Sequence, residues 1–297
     1  MGESAVKVGV VDIGTNSMRL LVSDGVDEDR RWVEVTGLGV GVDATGMLTK
    51  DAVNRTIAVF DRYGAIMSDS HVDQRVAIAT SASRDATNRE EFFDRAESAL
   101  GVRPTLISGD EEARYAFEGA TQVLDSVAGV VVSDIGGGST EFVTEEVARS
   151  VDVGSVRLTD SHLPNLPPDP DQLAKAVEHV AYLLADIDHG FVGSHIGVAG
   201  TWTAIAAIAQ DLPAYSRDQV HGFVLTNHHL DEVAERLRPL TVEETAAIPS
   251  LHPKRAPVIM AGTVIATMVT ETLGVSETMV SEHDTLDGAA MRLLALR

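Results

Sequence analysis

No cysteine occurs in the 297 residues. Thiol catalysis, disulfide bridging and thiolate metal sites are therefore excluded. The N-terminus, Met1-Gly2-Glu3-Ser4, has no basic segment followed by an apolar one, so no secretory leader is expected. It is not a complete myristoylation signal either, because position 6 is Val rather than Ser or Thr. No apolar run reads as long enough to cross a bilayer. There is no Walker-type phosphate loop and no Gly-x-Ser-x-Gly elbow. Nothing has the spacing of a zinc site, and the neighbours His228 and His229 cannot both face one ion from one helix or strand. Positive charge is scarce: 23 Lys and Arg stand against 45 Asp and Glu, a net charge of −22. That balance argues against nucleic-acid and anionic-membrane partners. A cytoplasmic protein is expected. A polyanionic substrate stays open if basic residues line the site or a divalent metal inverts the local charge. Most of the carboxylates are read as solvated surface.

What is present is one loop written twice. Val8-Gly9-Val10-Val11 runs into Asp12-Ile13-Gly14-Thr15-Asn16-Ser17, and Val130-Val131-Val132-Ser133 runs into Asp134-Ile135-Gly136-Gly137-Gly138-Ser139-Thr140. Each copy reads as a β-hairpin with an Asp before a small-residue tip. Such tips can turn backbone N–H groups outward as an anion cradle. Two tips face to face would clamp a phosphate chain, and the Asp at each turn would hold a bridging metal.

The remaining pattern mixes β and α. Strands are expected over 6–11, 19–22, 33–36, 76–79, 105–107, 130–133, 141–143, 195–199 and 278–280. Helices are expected over 50–67, 89–100, 110–124, 171–188, 203–209, 229–238 and 256–273, with Thr49 and Asn88 as N-caps. The length suits two domains, and no linker or low-complexity run separates them. The spacing of the copies fits a duplicated βββαβα domain, 1–124 and 125–286, with a final helix over 287–297 packing back on the first half.

Four further polar clusters stand out. Ala79-Thr80-Ser81-Ala82-Ser83-Arg84-Asp85-Ala86-Thr87-Asn88 follows a strand, and Arg84 suits bidentate phosphate contact or a surface pair with Asp85. Ile107-Ser108-Gly109-Asp110-Glu111-Glu112-Ala113-Arg114 puts three acids in a first helical turn, where matching the helix dipole is the commoner role and catalysis by Glu112 the rarer one. Gly197-Val198-Ala199-Gly200-Thr201 is either a phosphate-binding helix start or an ordinary βα turn. His252-Pro253-Lys254-Arg255 is the densest basic spot of the second half.

Taken in order, 12–17, 81–88, 107–114, 134–141, Gly154-Ser155-Val156-Arg157-Leu158-Thr159 and Gly200-Thr201 resemble the exopolyphosphatase/guanosine-pentaphosphate phosphatase family across essentially the whole chain. The resemblance implies an α/β protein of two actin-like (ribonuclease H-like) βββαβα domains with an interdomain cleft. It implies hydrolysis of a terminal phosphoanhydride, with polyphosphate as substrate and orthophosphate as product. Glu112 would be the general base and Arg84 the phosphate arginine. Asp134 and Glu141, with Asp12, would serve the metal, Mg²⁺ or Mn²⁺, and Glu141 the positioning of water. Asn16, Ser17, Gly136, Gly137, Gly138 and Ser139 would cradle phosphate, and the chain would form a homodimer. The stretch Ser281-Glu282-His283-Asp284-Thr285-Leu286-Asp287-Gly288 departs from the family's Ser-Asp-X-Gly-Leu-Arg-Glu-Gly. With no room for appended domains, short polyphosphates are the expected substrates. The rivals are guanosine pentaphosphate 5′-phosphohydrolysis or nucleotide hydrolysis, an ATP-binding actin-like scaffold or kinase, and a sensor with a degenerate site.

Overall fold

The computed structural model describes residues 6–26, 29–187, 190 and 192–295. The N-terminal residues behind the leader and acylation readings lie outside these, as do the last residues of the helices expected over 171–188 and 287–297. The chain divides into two compact units, Met1–Gly119 with Thr285–Arg297, and Ala120–Asp284.

The first unit runs β1 (Val8–Ile13), β2 (Ser17–Ser23), β3 (Asp29–Val35), α1 (Val42–Thr45), α2 (Lys50–Asp69), β4 (Gln74–Ala79), α3 (Ser81–Asp85), α4 (Arg89–Leu100), β5 (Thr105–Leu106) and α5 (Gly109–Thr121). The second runs β6 (Val130–Ile135), β7 (Thr140–Val143), β8 (Ala148–Val151), α6 (Ser155–His162), α7 (Pro170–Leu184), β9 (Ser194–Val198), α8 (Ala199–Ala209), α9 (Arg217–Val220), β10 (Val224–Thr226), α10 (Asn227–Leu237), α11 (Val242–Ala246), α12 (Ala256–Leu273) and β11 (Glu277–Val280). The final helix, α13 (Thr285–Ala295), returns to the first unit.

The sheet orders reveal the duplication: β3-β2-β1-β4-β5 in the first unit and β10-β11-β9-β6-β7-β8 in the second. In each, an antiparallel three-strand meander is followed by parallel strands on the far side of its first strand. Each unit thus contains the expected βββαβα order and extends it by one further parallel strand, β5 in the first and β11 in the second, with β10 added at one edge of the second.

Strand periodicity sorts β1 between two cores. Val11 and Ile13 join Phe60, Tyr63, Phe92 and Leu100 of α2 and α4. Val8 and Val10 join Ile78, Leu286, Ala289 and Ala290, so α13 covers the other face. The second core gathers Val131, Ile135, Val180, Trp202, Ile205, Ile259 and Ile265.

Two sequence expectations change here. One segment, Pro253–Leu273, is in fact long and apolar enough to cross a membrane by length and composition. Two-thirds of it is buried inside the protein (67%), which is the environment of a core helix. Thr49 caps α2 by accepting from the Ala52 N–H at 3.3 Å, but the Asn88 side chain makes no cap bond to α4. Its amide instead accepts from the N–H of Leu48 and donates to the Leu48 carbonyl, both at 2.9 Å.

Candidate functional site

In the first unit, the tip between β1 and β2 is closed by the Gly14 N–H donating to the Ser17 carbonyl at 3.2 Å. Its carbonyls are held from behind. The N–H groups of Thr36 and Gly37 donate to Asn16 O, and that of Gly39 to Thr15 O. Among the described residues, the N–H groups of Thr15 and Asn16 donate to no protein acceptor. The Ala82 N–H donates to Thr15 Oγ1 at 3.2 Å, which fixes this tip to the start of α3.

Asp12 stands directly across the ladder from Arg19. Cross-strand partners share a face, and Arg19 Nε and a terminal nitrogen both donate to Asp12 Oδ2, at 2.8 and 2.7 Å. The expected first-hairpin metal ligand is thus the acceptor of a partly buried ion pair. Sequence reasoning left Arg19 out, although counting outward from the tip pairs it with Asp12.

The three acids at the start of α5 separate by role. Asp110 is exposed. Glu111 caps the helix: its Oε2 accepts from the N–H and Oγ of Ser108 at 2.8 and 2.9 Å, and these bonds hold its carboxyl below the usual value. Glu112 turns inward, and its Oε2 accepts from Arg84 at 2.9 Å. Both side chains are largely buried. Burial raises the Glu112 pKa. Arg84 opposes the rise, Asp12 adds to it and Arg19 subtracts. The same Arg84 nitrogen donates to the Ile107 carbonyl at 3.1 Å, and the Arg84 carbonyl accepts from Arg89 at 3.2 Å. Residues 28 positions apart thereby form a carboxylate with a raised proton affinity and an orienting cation, the usual state of a general base.

In the second unit, Asp134 stands directly across from Glu141. Both are almost fully buried, at 4% and 1% exposure. Two carboxylates at opposed positions repel unless a cation or proton lies with them. Ser150, across from Glu141 on β8, donates to Glu141 Oε1 at 2.6 Å. Among the described residues no group of three or more His, Asp or Glu could hold a metal alone. A pair of hard oxygen donors nonetheless suits Mg²⁺, which keeps waters and takes further oxygens from substrate phosphates.

The second tip, 136–139, is closed by the Gly136 N–H donating to Ser139 O at 3.0 Å. The turn at Gly154 packs against it. A Cβ there would stand 2.5 Å from the Gly137 carbonyl and the Gly138 nitrogen, so only glycine permits the approach.

At the third loop, α8 begins at Ala199 rather than near 203. Ala199 has φ 68°, a left-handed conformation unusual for a residue with a Cβ. A Cβ on Gly200 would stand 1.8 Å from the Arg255 guanidinium, so the third loop and the basic spot are adjacent. In the segment 281–288, Leu286 is buried in the α13 core. Asp287 forms a bidentate pair with Arg31 on β3.

Residues 30–295 match the Ppx/GppA phosphatase family. The chain belongs to that family. Exopolyphosphatase 2 of Mycobacterium tuberculosis is 35% identical, with 97% of this chain and 98% of the relative covered. The bifunctional 3-dehydroquinate synthase/phosphatase of Fusobacterium nucleatum is 30% identical over 95% of this chain but only 46% of its own length. Among solved structures, an exopolyphosphatase-like protein superposes with a TM-score of 0.93 at 34% identity, covering 98% of this chain and 99% of that one. The Aquifex aeolicus Ppx/GppA family member gives 0.80 at 29%, with 98% of each chain covered. Arg84, Glu112 and the second tip lie within the matched residues 30–295, and the first tip precedes them.

Proposed function

We propose that this protein is an exopolyphosphatase that hydrolyses the terminal phosphoanhydride of inorganic polyphosphate and releases orthophosphate. The observation that carries the reading is Glu112, a largely buried carboxylate of raised pKa held at 2.9 Å by Arg84. The names of its full-length relatives support it. From the first unit, Glu112 orients a water and takes its proton as it attacks phosphorus. Arg84 holds the base, and its other guanidinium nitrogens serve phosphate oxygens. In each unit, the backbone N–H groups of the tip are donors for phosphate oxygens. Phosphoryl transfer needs mainly positioning and charge stabilisation, and these groups supply both.

Asp134 and Glu141 would hold a divalent ion, Mg²⁺ or Mn²⁺. When bound, the ion supplies neutralisation of phosphate charge. Asp12, already engaged by Arg19, is left out of this ligand set. A homodimer and a cytoplasmic location belong to the same proposal on the family resemblance, and sedimentation velocity tests the first.

The test is orthophosphate release from short and long polyphosphate, guanosine pentaphosphate and ATP, with and without Mg²⁺. Release from polyphosphate that depends on the metal is expected. Glu112→Gln is expected to lose activity by on the order of 10²–10⁴-fold. Hydrolysis of guanosine pentaphosphate alone would overturn the substrate, and a fully active Glu112→Gln would overturn the base.

A further inference from the structure

Three consecutive peptide units of the second tip share one arrangement. The Gly136 carbonyl accepts from the Ser155 N–H at 3.0 Å and from Ser155 Oγ at 3.3 Å. The Gly137 carbonyl accepts from the N–H groups of Val156 and Arg157, at 2.8 and 3.1 Å. The Gly138 carbonyl accepts from Arg157 Nε at 2.8 Å. The first-turn donors of α6, which a helix leaves without internal partners, are thus given to the loop. A planar trans peptide directs its N–H opposite to its C=O. Holding these three carbonyls toward α6 therefore turns the N–H groups of Gly137, Gly138 and Ser139 away from it. Among the described residues those three donate to no protein acceptor.

Backbone atoms of α6 fix the first two units, and the Ser155 hydroxyl only supplements the first. The third, Gly138–Ser139, is fixed by a side chain alone. We propose that Arg157 is a positioning residue for the reaction: its Nε–H orients the Gly138–Ser139 peptide so that the Ser139 N–H joins the phosphate cradle. The inference rests on the reading of 136–139 as that cradle. Arg157 acts through the loop and its charge is incidental to the role, which separates it from an arginine that binds phosphate directly.

Side-chain length supplies the test. Glutamine places its amide nitrogen the same number of bonds from Cα as arginine places Nε, without the charge. Lysine keeps the charge but has a methylene at that position, and methionine offers no donor. Steady-state kinetics on polyphosphate, with thermal melting to confirm folding, should show Arg157→Met and Arg157→Lys losing about 10- to 100-fold in kcat with little change in KM. Arg157→Gln should recover most of that loss. A Lys variant more active than the Gln variant would overturn the proposal in favour of a charge role. So would a loss carried by KM, or a Met variant within about twofold of wild type. Should the Met variant fail to fold, the Gln and Lys variants decide alone. Gly138→Pro, which deletes one N–H of the cradle, tests the underlying reading. If it is inactive while Arg157→Met is active, only the role of Arg157 fails; if it is fully active, the cradle reading fails.

Discussion

The two hairpins share an Asp-Ile-Gly tip and differ in the residue across the ladder from the aspartate. In the first, Asp12 meets Arg19 and the charges cancel. In the second, Asp134 meets Glu141 and they add. Duplication kept the backbone device, a tip whose carbonyls are held from behind and whose N–H groups face outward. The supports diverged too: the turn at 36–39 holds the first tip, and α6 with Arg157 holds the second. One cross-strand residue thus separates a closed ion pair from an acidic pair suited to a cation.

The largest contrast expected between the units concerns acid. Behind the second hairpin, Ser133 of β6 lies 2.8 Å from Nε2 of the buried His195, whose Nδ1 lies 2.8 Å from Thr278 Oγ1. Burial depresses this imidazole from 6.5 to about 3. The unfolded chain binds the proton first, so the stability is intact above pH 6.5 and is lost as pH falls from there towards 3. Integrated over that window the effect is roughly 4–5 kcal/mol. The first unit's one histidine, His71, is exposed. Acid titration of Trp202 fluorescence in a Trp32→Phe background should show the second unit unfolding within that window. His195→Asn should flatten the pH dependence while lowering stability at neutral pH; an unchanged slope would count against the buried neutral imidazole.

Neutralising each aspartate should have unequal consequences for folding. Asp12→Asn leaves Arg19 partly buried without its countercharge, at a cost of about 3 kcal/mol, and the melting temperature should fall by several degrees. Asp134→Asn removes one of two facing carboxylates, so in the presence of EDTA its melting temperature should fall by less than that of Asp12→Asn. Equal destabilisation by both would erase the distinction between the hairpins.

A smaller effect concerns the base. The Glu112 carboxyl titrates above 4.5, and Arg84 restrains the rise. Activity should therefore fall as pH drops through that raised value. In Arg84→Met the restraint is gone and the acidic limb of kcat/KM should move to higher pH. Movement to lower pH would contradict the pairing.

Much of this was legible in the sequence, for identifiable reasons. The central strands β1, β6 and β9 are apolar runs with sharp polar ends, and α12 matches its expected span of 256–273. The edge strands of the second sheet were not legible: β8 is Ala-Arg-Ser-Val and β10 only three residues, too short and polar for a periodic signal. The α8 start was placed late because Gly200 reads as a turn, whereas the turn is made by Ala199 in a left-handed conformation. Within the site, residue types were readable and partnerships were not. Three acids in one turn look alike until Ser108 claims Glu111 and Arg84 claims Glu112. Arg157 was visible only as part of a motif, since its target is a carbonyl 19 positions earlier.

The inequality of the hairpins is tested most directly by the Mg²⁺ concentration that gives half-maximal orthophosphate release, measured for wild type, Asp12→Asn and Asp134→Asn. Asp134→Asn should raise it by at least about tenfold, and Asp12→Asn should leave it within about twofold. A shift of equal size in both variants, or one confined to Asp12→Asn, would contradict the account.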